Sequence, residues 1–220
     1  MQRLMVVGGS GHARCVIDAA QAGTAVNVAA VVDDGLEVGS EVLGVPVVGG
    51  SDAVAEWWRD GRIDGVVIGI GDNHTRLVVS QRLEAEASGL PCLTVVHPTA
   101  SVARSARLGP GVVVLAGATV GPQASVGAHG LVGAQANLDH DAILGEGASL
   151  GPGALTGGMV NIGTATAVAM GAVVRHGLTV GEHSVLGAGA VLTGDLPSLT
   201  VAWGSPARVV RSRRPGDPYL

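Results

Sequence analysis

The chain is expected to fold as a small α/β, Rossmann-like N-terminal domain followed by a left-handed parallel β-helix. Three features of the sequence point there. Residues 1–93 alternate short apolar runs with segments of helical spacing. From Thr94 onward an aliphatic residue recurs at every sixth position. The chain has 36 Gly, no Phe and one Tyr, yet 47% of its residues are hydrophobic, so its interior must be built from Val, Leu, Ile and Ala.

The N-terminal elements follow in order. "RLMVVGG" (3–9) is an apolar run ending in glycines, which reads as a buried parallel strand. "HARCVIDAAQAG" (12–23) places Val16, Ile17 and Ala20 on one side and stops at Gly23, which reads as a helix. "VNVAAVVDD" (26–34) is a second strand ending in two acids. "SDAVAEWWRDG" (51–61) is a helix with Ser51 as N-cap and Gly61 as stop. "DGVVIGIGD" (64–72), "NHTRLVVSQRLEAEASG" (73–89) and "LPCLTVV" (90–96) complete the domain as strand, helix and strand.

Written in sixes from Thr94, the chain puts its third column at Val96 and every sixth residue to Leu192. Sixteen of these 17 positions are Val, Leu or Ile, the exception being Thr156. The first column is mostly Ala and the fourth mostly Gly. A period of six fits short flat strands joined by turns, with one aliphatic side chain inward per face and three hexads per triangular coil. Seventeen hexads give between five and six coils. Residues 18 apart then stack on adjacent coils, roughly 4.8 Å apart along the axis. The expected divisions are an α/β domain over 1–93, a β-helix over 94–210 and a tail over 211–220.

Bulk properties exclude several classes. A formal net charge of -5 gives no electrostatic support to a nucleic-acid role. The one basic cluster, "RVVRSRR" (208–214), reads as a solvated end. Cys15 and Cys92 form no CxxC pattern and suggest neither a disulfide scaffold nor a thiolate metal site. The histidines are scattered through the coil, so no metal site is expected. "MQRLMVVGGSGH" lacks the length and cleavage region of a signal peptide, and no apolar stretch reaches 18 residues. The expectation is a cytoplasmic protein without a membrane span.

One hexad carries chemistry. In "ANLDHD" (136–141), His140 follows the inward Leu138 by two and therefore sits outside the coil, between Asp139 and Asp141. Histidine suits a general base, and a neighbouring carboxylate orients the ring and raises its basicity. Spacing alone leaves this open against an exposed turn histidine beside solvating acids. His176, two coils along the same column, is expected roughly 10 Å away, at twice the strand spacing. His129 and His183 share another column and are expected to be solvated. His97 stands at the junction of the two domains, where it is expected to satisfy backbone groups. "GGSGH" (8–12) lies between a strand and a helix, where backbone N–H groups meet phosphates. The dinucleotide fingerprint is incomplete there, since Arg14 stands where its last glycine belongs. Asp33 and Asp34, ending the second strand, are placed to meet a base or ribose edge, or else are a solvated strand end. Gly71 is placed at the same strand ends.

Taken together, "VVGGSGHARCVIDAA", "VVDD", "IGIGDNHTR", "VVHPTA" and the closing "GSPARVV" (204–210) resemble one subfamily of the hexapeptide-repeat acyltransferases. These are the nucleotide-amino-sugar N-acetyltransferases and their relatives, the sialic-acid O-acetyltransferases. The resemblance implies a homotrimer, with acetyl-CoA held in a groove between neighbouring β-helices and the sugar substrate held by the N-terminal domain. It implies His140 as general base with Asp141 as its partner, and sugar-nucleotide contacts at Ser10, Gly11 and His12, with Gly71 lining the same cleft. It implies acetyl-CoA contacts at Ser149, Gly158, Met170 and Ala188. Ser149 departs from the pattern, because relatives carry a histidine there. The amides of Gly157 and Gly158 are expected to be open to the thioester or pantetheine. The leading expectation is N-acetylation of a nucleotide-linked amino sugar. Two other readings remain: O-acetylation of sialic acid or another free sugar, and a non-catalytic nucleotide-binding scaffold.

Overall fold

A computed structural model describes residues 1–219. The N-terminal domain has a parallel three-stranded sheet ordered β2–β1–β5, from β1 (Gln2–Val7), β2 (Val26–Val32) and β5 (Gly65–Ile68). These strands are apolar because both faces are covered. Helix α1 (Gly11–Ala22) packs Val16 and Ile17 on one side, while α2 (Ala53–Arg59) and α3 (Asn73–Glu86) cover the other.

Several elements differ from the sequence reading. Ser51 does not cap α2. Its N–H and hydroxyl both donate to Asp34, and Asp52 holds the N-cap position. A short hairpin of β3 (Glu41–Val42) and β4 (Val45–Pro46) was not foreseen, its two-residue strands being too short to show a period. The run 90–96 is not one strand. Cys92 makes a single parallel bridge with Val66, and β6 (Val95–Val96) already belongs to the β-helix.

Among the described residues, seventeen two-residue strands run from β6 to β22 (Val191–Leu192), all parallel to their neighbours and 18 residues apart. They form a left-handed parallel β-helix with three faces. The first face begins at β6, the second at β7 (Ser101–Val102) and the third at β8 (Arg107–Leu108). First- and third-column residues such as Ala136, Leu138, Ala142 and Leu144 are fully buried inside. Each enclosed Leu or Val contributes about 1.5–3 kcal/mol of burial. The antiparallel pair β23 (Thr200–Gly204) and β24 (Ala207–Ser212) closes the first face.

The corners between faces turn at the sixth column of each hexad, not at the glycine-rich fourth. The left-handed conformation falls on the sixth column, for example Asp141 at φ 56° and His183 at φ 51°. Fourth-column glycines serve close stacking instead. A Cβ at Gly121 would lie 2.7 Å from the His140 backbone nitrogen on the next coil.

The N-terminal domain docks on the first face, where Val113, Leu115 and Leu131 join the core that contains α1 and β1. Arg76 secures the joint. It is 2% exposed and donates to the carbonyls of His129, Ile70, Gly71 and Gly147 and to Asn73 Oδ1, at 2.8–3.0 Å. Asn73, fully buried, donates through Nδ2 to Thr166 O at 3.1 Å. The basic C-terminal run is not wholly solvated. Arg213 is 6% exposed and donates to His183 O at 2.7 Å, while the Tyr219 hydroxyl accepts from the Asn73 amide at 3.0 Å.

Candidate active site

His140 sits on the corner joining β13 (Asn137–Leu138) on the second face to β14 (Ile143–Leu144) on the third. Its backbone is pinned on every side. The His140 amide donates to Asp139 Oδ1 at 2.7 Å and its carbonyl accepts from Met159 N at 2.9 Å. Asp141 N donates to Pro122 O at 2.9 Å. Thr156, the one polar residue of the aliphatic column, accepts from Asp139 N at 3.1 Å and donates to Asn137 O at 3.3 Å. The break in the repeat thus lies directly beneath the histidine corner.

The His140 ring is held by two neighbours. Its Nδ1 is 2.8 Å from Asp141 Oδ2. The other edge lies over Gly158 on the next coil, where a Cβ would overlap Nε2 and Cε1. Asp141 raises the His140 pKa chiefly through its hydrogen bond, and the charges of Asp139 and Asp141 add to this against a partial loss of hydration. Nδ1 facing a carboxylate carries the proton, which leaves the Nε2 lone pair free. Both side chains are about half exposed, at 46% and 52%.

Three expectations around this corner need correction. His176 is not roughly 10 Å away: the ring centroids are 6.3 Å apart and tilted by 49°, because the His140 ring leans along the axis over the bare Gly158. His129 is buried, not solvated. It is 8% exposed with Nδ1 unpartnered against Gly111, and burial and the Arg76 charge lower its pKa. Gly157 does not offer an open amide, since its N–H donates to Val174 O at 2.9 Å. His183 is half-buried, with its carbonyl taken by Arg213. His97 Nδ1 accepts from Thr99 N at 3.1 Å, a local turn bond.

A cleft of about 600 Å³ runs along the first face. Its floor is the outward column Leu131, Ser149, Ala167 and Val185, and its rim includes Met170 and Ala188. His12 and Gly71 line it from the N-terminal domain, and Trp203, Arg211 and Tyr219 line it from the segment that closes the coil. Five of the singled-out residues thus meet here: His12, Gly71, Ser149, Met170 and Ala188. Ser149 is the one hydroxyl in an otherwise apolar floor. Burial, with help from Arg76, lowers the His12 pKa to about 4, so the ring is neutral at physiological pH.

Ser10, Gly11, Asp33 and Asp34 lie elsewhere. Ser10 is exposed at the N-cap of α1, with its hydroxyl making no cap bond. Asp33 accepts from Gly9 N at 2.7 Å and Gly35 N at 2.9 Å, and so braces the glycine turn. Both acids line a smaller cavity of about 190 Å³ with Gly8, Gly35, Ser51 and Arg82. Neither is a free strand end, and Asp34 is held below the usual carboxylate pKa by the Ser51 bonds. Sequence reasoning missed Arg76, Asn73 and Tyr219. The only available signal was a polar cluster, "DNHTR", at a helix start.

His140, Asp141 and Gly158 line neither cavity. They occupy the corner between the second and third faces, the vertex opposite the face that carries the cleft. Among the described residues, no group of His, Cys, Asp and Glu has metal-holding geometry, and no helix is long and apolar enough to cross a membrane.

Residues 3–83 match the family model of the PglD N-terminal domain. No match is found among curated proteins. Among solved structures, a single-residue variant of the GDP-perosamine N-acetyltransferase from Caulobacter crescentus, in complex with CoA and GDP-perosamine, is 33% identical. That alignment covers 96% of this chain and 98% of the other, with a TM-score of 0.89. The acetyltransferase domain of PglB from Neisseria gonorrhoeae is 30% identical over 96% of this chain and 100% of its own, with a TM-score of 0.88. WeeI from Acinetobacter baumannii, 21% identical over 96% of this chain and 100% of its own with a TM-score of 0.65, shares the fold. With the six-residue coil, the matched N-terminal domain and near-complete coverage at 30% identity or more, the chain belongs to the hexapeptide-repeat nucleotide-amino-sugar N-acetyltransferases.

Proposed function

We propose that the protein transfers acetyl from acetyl-CoA to the amino group of a nucleotide-linked amino sugar, with His140 as general base and Asp141 as its partner. The observation that carries this reading is the 2.8 Å contact of His140 Nδ1 with Asp141 Oδ2, which leaves Nε2 free. CoA and GDP-perosamine bound to the Caulobacter enzyme, and acetyl-CoA bound to the Neisseria domain, support the substrate classes. On this reading Ser10 and Gly11 hold the sugar nucleotide at the start of α1, with His12 and Gly71 on the cleft wall. Asp33 acts by fixing the glycine turn, and Asp34 by fixing the neighbouring loop. Ser149, Met170 and Ala188 hold acetyl-CoA along the first face, and Gly158 seats the base.

The reading requires a homotrimer. Within one chain His140 stands at the vertex opposite the cleft, so a second copy must present its own His140 there. Exposed Ile143, Leu155 and Met159 surround that corner and offer an apolar surface for such a contact.

The test has two arms. Acetyl-CoA is offered with nucleotide-linked amino sugars and, separately, with free sialic acids, and turnover is expected with the first group alone. His140→Ala is then expected to lower kcat by at least ~10²-fold with the trimer mass unchanged. Full turnover in that variant would remove His140 from the mechanism.

A further inference from the structure

We propose that His176 is a second catalytic residue, the acid that delivers a proton to the CoA sulfur as it leaves; this rests on His140 being the base. Three observations point to it. The ring centroids of His140 and His176 are 6.3 Å apart, and the residue between them on the column, Gly158, has no side chain. The His140 edge over that gap is the Nε2 edge, the one not facing Asp141. The His176 side chain is exposed, and no group among the described residues hydrogen-bonds its ring. Two hydrogen bonds of about 2.8 Å meeting at one shared atom span such a gap. The two rings therefore flank a slot that one bridging water fits.

Aminolysis of a thioester gives this slot a task. The amine enters neutral and its nitrogen forms the C–N bond, leaving a positively charged nitrogen and an oxyanion. His140 Nε2 takes the N–H proton. The proton then crosses from His140 to neutral His176 through one water, and as the oxyanion collapses and the C–S bond breaks, His176 passes a proton to the sulfur. One amine proton ends on the thiol, and both histidines end neutral, as they began. The only reactants are the amine and the thioester.

His176→Gln keeps the side chain polar and removes the acid. Wild type and variant are compared with acetyl-CoA and with the acetyl thioester of an acidic aryl thiol, 4-nitrothiophenol, whose thiolate departs unprotonated. The variant is expected to lose about 10- to 100-fold in kcat/KM with acetyl-CoA and less than about twofold with the aryl thioester. Equal losses with both donors would mean a structural role and overturn the proposal, as would no loss with acetyl-CoA. His140→Ala separates this result from the base assignment, because the base is needed with either donor. If His140→Ala is inactive with both while His176→Gln loses equally with both, only the acid role fails. If His140→Ala turns over normally, both roles fail together.

Discussion

His140 Nδ1 lies 2.8 Å from Asp141 Oδ2, and the pair follow one another in sequence across a left-handed corner. Adjacent residues in a strand point to opposite faces and do not pair this way. The φ of 56° at Asp141 folds its carboxylate back onto the preceding ring. Aspartate tolerates that conformation better than most non-glycine residues, so the shorter acid suits the corner that carries it.

Asp141 raises the His140 pKa, and a base works only in its neutral form. The rise of kcat/KM with pH is therefore expected above the ordinary histidine value of about 6.5. Asp141→Asn removes the principal raising influence, so this limb must move to lower pH. The plateau falls as well, by roughly tenfold or more, since the remaining base is weaker and less well oriented. A pH–rate profile measures both quantities. An unmoved acid limb in the variant would show that His140 titration does not govern the rate.

Gly158 carries the other edge of the ring. A methyl group at this position would overlap Nε2, the proposed proton acceptor, so Gly158→Ala must swing the ring away from His176. The coil itself is expected to stay intact, since first-column alanines and the aliphatic column are untouched. The expected result is a fall in kcat of roughly 10- to 100-fold, in line with losing a positioned base, and an unchanged thermal midpoint. A rise in the acetyl-CoA KM alone would instead assign Gly158 to cofactor contact.

Periodicity makes the placement of these side chains legible in the sequence. A six-residue register puts every side chain of the coil on a known column, and so puts His140 and His176 on one line. What it does not encode is how far a side chain leans along the axis, and so the separation of the two histidines was overestimated. Thr156 illustrates the reverse. It is a break in the aliphatic column, and its meaning emerges only when Asp139 N is found above its hydroxyl. His129 was misplaced because the column predicts an outward direction but not that α3 and Arg76 pack over that corner. Long-range docking by Asn73, Arg76 and Tyr219 leaves no periodic trace.

Arg76 provides the test of that docking. Its guanidinium is fully enclosed, and burial lowers its pKa to about 10, so it stays charged at neutral pH without a carboxylate partner. Five oxygens from both domains satisfy it instead. Lysine keeps the charge but has three donors on a different geometry, leaving buried carbonyls unpaired. Hydrogen bonds to charged groups contribute about 1.5–3 kcal/mol each, so Arg76→Lys is expected to cost about 3 kcal/mol or more. For a chain of this size that corresponds to a fall in Tm of roughly 6–12 °C. Gly71 O is one of the five oxygens and Gly71 lines the cleft, so the KM for the sugar nucleotide is expected to rise with it. A variant with wild-type Tm and KM would mean that the apolar contacts of Val113, Leu115 and Leu131 and the bonds of Asn73 hold the two domains together without Arg76.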